Sequence, residues 1–406
     1  MSARSFRPDA PTEAKLPFDA RQLDALLEDA GVDVVLVTSK HNIQYLLGGY
    51  RFFFFDHFDA LGISRYLPIL IYPKAAPGRA VYIGNAMEDS EAENGRFWCP
   101  TVEAVCWGTL DATALAIEHL RRMGLDGSRV GVELSFLPTD AGDALRAGIG
   151  GRPLLDAHLP LERLRAVKRP DELALIREAS DRVAAAMVAT FAQLHPGMTK
   201  RELSDTLRQE EIARGLDFDY CLISAGTSFN RAPSEAVIAV GDIVSLDSGG
   251  SYEGYFGDMC RMGIAGEPDA ELQDLLGWIE TIQQSARAPI RAGTAGRAIF
   301  GAVADLLSAS PNADHTHFVA HGMGIIGHEA PRLSDRGPVI YPAHDADLPL
   351  QAGMVLSIET TLKHPRRGYI KLEDTLAVTE TGWTAFGDGG RGWNRPRGLS
   401  ASEWKG

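Results

Sequence analysis

Apolar and polar positions along the chain follow two rhythms, and the balance between them changes near residue 160. Before it, β-branched and apolar runs at 32–38, 66–72, 80–83 and 129–134 predict strands. Leu23, Leu26 and Leu27 recur at helical spacing within 19–30, and 115–123 reads as a second helix. Strands alternating with helices predict an α/β domain. Beyond 160 the helical rhythm lengthens. Pro170 followed by Asp171 and Glu172 is a favourable first turn, and the helix it opens runs to about Leu194, where His195-Pro-Gly breaks it. Thr199-Lys-Arg-Glu202 is a capping-box start for another helix. Helices at about 269–291 and 296–309 and a strand at 366–379 complete the pattern.

These elements divide the chain into an arm at 1–16, an amino-terminal domain at 17–162, a carboxyl-terminal domain at 163–390 and a tail at 391–406, with the boundary between domains in the region 160–168. The segment from Gly387 onward is rich in Gly, Arg and Trp and is expected to be partly ordered at best. An aromatic run at 50–58 has two readings: a core strand that recruits Phe, or a lid over an active site in this subunit or its neighbour.

The most informative stretch is 243–261. An apolar, β-branched strand ends in Asp247, Gly249, Gly250 and Gly254 punctuate the middle, and a second strand carries Asp258. With a turn centred on Tyr252-Glu253, the two aspartates face each other across a hairpin, about 4.5–5.5 Å apart at Cβ. Like charges that close require a cation, and a pair of divalent ions about 3.5–4 Å apart would serve. The alternative is two surface carboxylates on a polar hairpin.

Composition narrows the classes. A net charge of −14 over 406 residues argues against a nucleic-acid partner. No apolar run reaches the roughly 18 residues of a membrane span, and residues 1–15 lack a signal-peptide core. Cys99, Cys106, Cys221 and Cys260 show no CxxC spacing, which points to reduced thiols and a cytoplasmic location.

Four further segments raise the metal reading above the alternative. His321 is followed by Gly-Met-Gly, and His328 comes seven residues later in Gly-His-Glu-Ala-Pro. Glu359 ends an apolar strand, and Glu373 sits within another. Carboxylates on apolar strands need a counter-ion or they neutralise. Four carboxylates and one imidazole suit hard or borderline divalent ions: manganese, iron, cobalt or zinc.

In order and context, Asp247, Asp258, His321, Glu359 and Glu373 resemble the five metal ligands of the pita-bread metallohydrolases, in the creatinase, prolidase and aminopeptidase P branch. The motifs Gly-Asp-Ile-Val-Ser-Leu-Asp247, Gly257-Asp-Met-Cys-Arg261, His321-Gly-Met-Gly and His328-Glu-Ala-Pro carry the resemblance over about 160–386. It implies an α+β pita-bread catalytic domain behind a creatinase-like α/β domain. It implies two divalent ions, manganese first, with Glu359 shuttling the proton of an activated water. His317 and His328 match histidines that hold substrate. The expected reaction is hydrolysis of an amide bond, as in Xaa-Pro dipeptides, by a homodimer. The amino-terminal domain, with Phe55 and His57 in its aromatic run, would help close the partner's site and bind substrate.

One position departs from the pattern. The family's His about 17 residues before the first metal Asp is Asn230 here. An amide cannot carry a proton as imidazole does. Asn230 therefore leaves open a non-peptide substrate, a small zwitterion cleaved at a C–N or C–S bond, as in the family's ectoine hydrolase and dimethylsulfoniopropionate lyase branches. A metal-free binding module is a third class, and the retained acids argue against it.

Overall fold

The structure is a computed structural model and describes residues 16–53, 62, 64–337 and 339–396. The chain divides between Arg165 and Ala166 into two compact units.

The first unit is built on a six-stranded sheet of β1 (Val34–Val37), β2 (Ile69–Pro73), β3 (Val81–Asn85), β4 (Thr101–Cys106), β5 (Val130–Val132) and β6 (Leu155–Asp156), in the order β4-β3-β2-β1-β5-β6. All four residues of β1 are buried, as expected for a central strand covered on both faces. Leu36, Ile69, Ile71, Ile83 and Val132 pack with Ala116 and Leu120 of the helix Thr109–Arg122. That helix starts at Thr109 rather than 115 because the Asp111 carboxylate accepts the backbone N–H of Trp107 (2.7 Å) and Gly108 (2.9 Å), satisfying donors that would otherwise be orphaned. The edge strand β4, only partly buried, has no clean alternation and escaped the sequence pattern. Tyr50 and Phe52 of the aromatic run are buried in this unit, edge-on to Phe97 (4.8 Å) and Tyr66 (5.6 Å). Phe55 and His57 lie outside the described residues.

The second unit carries β7 (Asp217–Ala225), β8 (Ile243–Tyr252), β9 (Tyr255–Ile264), β10 (Thr316–Gly322), β11 (Val355–His364), β12 (Gly368–Val378) and β13 (Trp383–Phe386). The order is β10-β11-β12-β9-β8-β7, with β13 added to β12. Helices Pro170–Phe191 and Lys200–Ala213 cover β8 and β9, where Val183, Met187 and Phe191 meet Val244, Leu246 and Met259. Helices Ala270–Arg287 and Ala298–Ser308 cover β11 and β12. The Thr199–Glu202 capping box is formed in both directions, at 3.1 and 2.8 Å. Alternation sorts β12 by face: Ile370, Leu372 and Leu376 turn to the helices, which leaves Lys371 and Glu373 on the opposite face.

Two expectations are corrected. The hairpin turn is Glu253-Gly254, both at positive φ (49° and 77°), so Tyr252 pairs with Tyr255 and Asp247 with Cys260, not Asp258. Moving the turn by one residue shifts the register by two, which keeps both aspartates on one face as diagonal neighbours. β11 does not end at Glu359 but continues to His364. Within the tail, residues 387–396 are held in place: Trp393 Nε1 donates to Leu272 O (3.1 Å), and Arg391 binds Glu280 (2.7 Å) and Asp374. Its Gly- and Arg-rich composition looks disordered in isolation, but the domain supplies carboxylates for its guanidinium groups.

Candidate metal centre

Strand register builds the site as two rows across the helix-free face of the sheet. One row runs Leu222–Asp247–Cys260–Glu373–Glu359–Val319 through successive paired residues. Two residues along β9 and β10 lie Asp258 and His321, on the same face. The five expected ligands are thus brought together, and all are buried.

His321 aims a donor atom into the centre. Its Nδ1–H faces Gly322 O at 3.1 Å, which leaves the Nε2 lone pair pointing inward with no hydrogen-bond partner. Glu359 Oε1 and Glu373 Oε1 stand 3.8 and 3.9 Å from it, separations that a bound cation about 2 Å from each would bridge. Asp258, His321 and Glu373 each place a ligand atom within 4.8 Å of the others. Burial raises the pKa of the Asp258 carboxyl well above its ordinary value, and the Glu373 and Asp247 charges raise it further, so its ionised form needs a cation close by. These residues fit a divalent metal ion.

Three neighbours were not singled out from the sequence. Tyr220 OH donates to Asp258 Oδ1 at 2.6 Å. Gly249 lies between them in the sheet, and a Cβ there would stand 2.6 Å from Tyr220 Cε1 and 2.4 Å from Phe256 Cε1, so only glycine leaves the phenol its path. Lys371 Nζ lies 2.6 Å from Asp247, 2.5 Å from Glu359 and 2.7 Å from Glu373. Burial disfavours its ammonium, but the three carboxylates prevail and hold the pKa well above the ordinary value. Arg231 pairs with the same Asp247 oxygen that Lys371 binds. Lys371 was accessible from the sequence, since a residue two before Glu373 on a strand shares its face. Arg231 and Tyr220 were not: register sets Tyr220 beside Asp258, and Arg231 reaches Asp247 from the loop between β7 and β8.

On the helix side, Asp374 gathers Arg261 (3.2 Å), Arg287 (3.1 Å) and Arg391. Burial opposes its ionisation, yet these guanidinium groups hold its pKa down to about 2. Arg261 also donates to Glu373 O at 2.7 Å, which fixes the backbone that presents the Glu373 carboxylate.

The expected substrate histidines are placed differently from each other. His328 stacks on His321, with ring centroids 3.7 Å apart, and its Nδ1 lies 3.4 Å from Tyr341 OH. Burial, and then the neighbouring His321 ring, push its pKa down to about 3, so it is neutral near pH 7. His317 is exposed, on the same pleat face of β10 as His321 but four residues away, about 13 Å along the strand. Asn230 is exposed, and its Oδ1 accepts Ala232 N–H (2.9 Å) in a local turn.

Residues 174–380 match Metallopeptidase family M24, and residues 20–167 match the Creatinase/Prolidase N-terminal domain. The chain belongs to metallopeptidase family M24. Its two units are accordingly the creatinase-type amino-terminal domain and the pita-bread domain. It is 27% identical over 369 residues to the uncharacterized peptidase YqhT of Bacillus subtilis, covering 89% of this chain and 95% of that one. It is 28% identical over 379 residues to the probable dipeptidase PepE of Mycobacterium tuberculosis, covering 88% and 90%. Among solved structures, the Xaa-Pro dipeptidase from Bacillus anthracis superposes with a TM-score of 0.75 at 22% identity, covering 91% and 96% of the two chains. Among the described residues, no helix is long and apolar enough to cross a membrane.

Proposed function

We propose that this M24 enzyme is a metal-dependent hydrolase of the Xaa-Pro dipeptidase type, acting on the amide bond of a small peptide. The observation that carries the reading is the inward, unpartnered His321 Nε2 among buried carboxylates. The peptidases and dipeptidases among its relatives support the substrate class. Asp247, Asp258, His321, Glu359 and Glu373 are the residues that would hold metal, and a divalent ion held there would lower the pKa of water enough to supply hydroxide near neutral pH. Manganese fits the oxygen-rich donor set first, with iron, cobalt or zinc as alternatives. The resemblance implies two ions, and the five donors suffice for two only if Asp247 is released from Lys371 and Arg231.

The chain's own residues supply the rest. Glu359 sits beside the donor cluster and accepts a proton from the attacking water. Neutral His328, steadied by its stack on His321, keeps a ring nitrogen for a substrate oxygen. His317 lies further out, at the rim. The assembly proposed is a cytoplasmic homodimer in which the aromatic run that includes Phe55 and His57 meets substrate in the partner. A monomer by light scattering with full activity would rule that part out.

Asn230 favours a second reading, a compact zwitterionic substrate cleaved at a C–N or C–S bond. Its amide stays neutral and is engaged in a local turn, so no proton donor stands at that position. Loss of one general acid costs about 10²–10⁴ in rate. The test is kcat/KM of the metal-loaded wild type and Asn230→His on several Xaa-Pro dipeptides and on zwitterionic osmolytes. Weak dipeptide cleavage that rises in the variant is expected. Turnover of an osmolyte with no dipeptide cleavage in either protein would establish the second reading.

A further inference from the structure

We infer that Lys168 is a positioning residue: its buried ion pair with Glu329 holds the chain so that His328 stays stacked on His321. The inference rests on the reading of His328 as a residue that holds substrate, and it names what keeps that ring in place.

The pair is enclosed. Lys168 Nζ stands 2.9 Å from Glu329 Oε1, and both side chains are 1% exposed. The ammonium also donates to Ala166 O at 3.3 Å. The lysine backbone is pinned near the start of the second unit, where its N–H donates to Gly353 O at 2.9 Å and Val167 bridges to Met354, just ahead of β11. Lys168 is therefore a fixed point at the base of the strand that carries Glu359.

The ion pair carries that fixed point to His328, one peptide away from Glu329. The two side chains leave the chain in different directions: the Glu329 carboxylate goes to Lys168, and the His328 ring goes to His321, with centroids 3.7 Å apart. A backbone rotation that freed the carboxylate would swing the ring off its stack. Glu329 N–H donates to Gly322 O, and Gly322 N–H donates to Pro331 O, both at 3.0 Å, so the segment lies directly against His321-Gly-Met-Gly. The glycines of that motif make room for it. A Cβ on Gly322 would collide with the Ala330–Pro331 peptide, and one on Gly324 would collide with Glu329 Oε1 and stand 2.8 Å from Lys168 Cε. The motif thus gives space to the ion pair as well as to a metal. Removing the ammonium leaves a buried carboxylate uncompensated, which draws it towards water and takes His328 with it.

The experiment uses the full-length protein and two readouts. In Zn²⁺-loaded, diamagnetic protein with isotope-labelled histidine, the His328 ring signal, assigned by its loss in His328→Ala, reports the stack through its ring-current shift. The second readout is kcat/KM of the Mn²⁺-loaded protein on Xaa-Pro dipeptides. Lys168→Met is expected to move the His328 signal towards that of an unstacked imidazole and to lower kcat/KM by up to about 10²-fold, the cost of a small misplacement. Lys168→Arg, which keeps a cation, is expected to recover most of both. In a His328→Ala background, Lys168→Met is expected to change kcat/KM by less than about twofold, because effects that act through one residue do not add. Should Lys168→Met fail to fold, Glu329→Gln, which keeps the side chain's shape and removes its charge, carries the comparison with the same expected direction. An unmoved His328 signal in the folded variant, or an equal loss of kcat/KM with and without His328, overturns the proposal. A moved signal in a protein whose wild type cleaves no Xaa-Pro dipeptide upholds the positioning and overturns the peptidase reading.

Discussion

Tyr220→Phe tests whether the metal donors are held in place by the residues behind them. The substitution keeps the ring and its stack on Phe256 (6.3 Å) and deletes one hydroxyl. That hydroxyl donates to Asp258 at 2.6 Å, a short bond to a buried carboxylate. A hydrogen bond to a charged group contributes about 1.5–3 kcal/mol, and each 1.4 kcal/mol is about tenfold in an equilibrium constant. If the bond orients Asp258 towards the ion, metal affinity should fall about 10–100-fold, the range typical for a partner behind a metal ligand. The alternative is that it only neutralises an acid lacking its cation. The metal would then restore everything, and affinity would stay within about twofold. Competition of Mn²⁺ between the protein and a chelator of known affinity measures the difference, with circular dichroism confirming the fold. An affinity within twofold of wild type refutes the orienting role. Gly249→Ala is the companion: its Cβ would stand 2.6 Å from the same phenol and 2.4 Å from Phe256, so it should lower stability by about 1–3 kcal/mol and weaken metal binding in the same direction.

Two further outcomes are expected. Glu211 is fully buried, and burial raises its pKa to about 8, so the folded chain holds its proton where the unfolded chain has lost it. Its contribution is complete below about pH 4.5 and declines by up to about 1.4 kcal/mol per unit as pH rises towards 8. Glu211→Gln should therefore gain stability relative to wild type between pH 5 and 8 in urea denaturation, and parallel pH curves would refute the assignment. Asp374→Asn leaves the buried Arg261 and Arg287 without their carboxylate and should cost about 3–5 kcal/mol in the same assay. It should also release the segment 387–396 to limited proteolysis, and a loss below 1 kcal/mol would show that Asp388 and Glu280 take over the arginines.

The sequence by itself determined the candidate metal donors, the capping-box helix and the existence of the hairpin. Each is a local signal: a glycine-flanked aspartate, Thr199 three residues from Glu202, a charge on an apolar strand. A strand's period of two even kept Asp247 and Asp258 on one face despite an error in the turn, because the register moved by two. Tertiary structure decided what stands beside those donors. Lys371 and Asp247 are 124 residues apart in the chain, and Arg261 and Gly387 are 126 apart. Such pairs meet only once the order β10-β11-β12-β9-β8-β7 and its registers are set. The same holds for Tyr220, whose strand begins in polar residues and whose reach to Asp258 depends on the absent side chain of Gly249. Residue type and local spacing reveal which groups can bind a metal. The cations already present around them, and so the charge left for the metal to balance, depend on pairings between distant strands that no local pattern encodes.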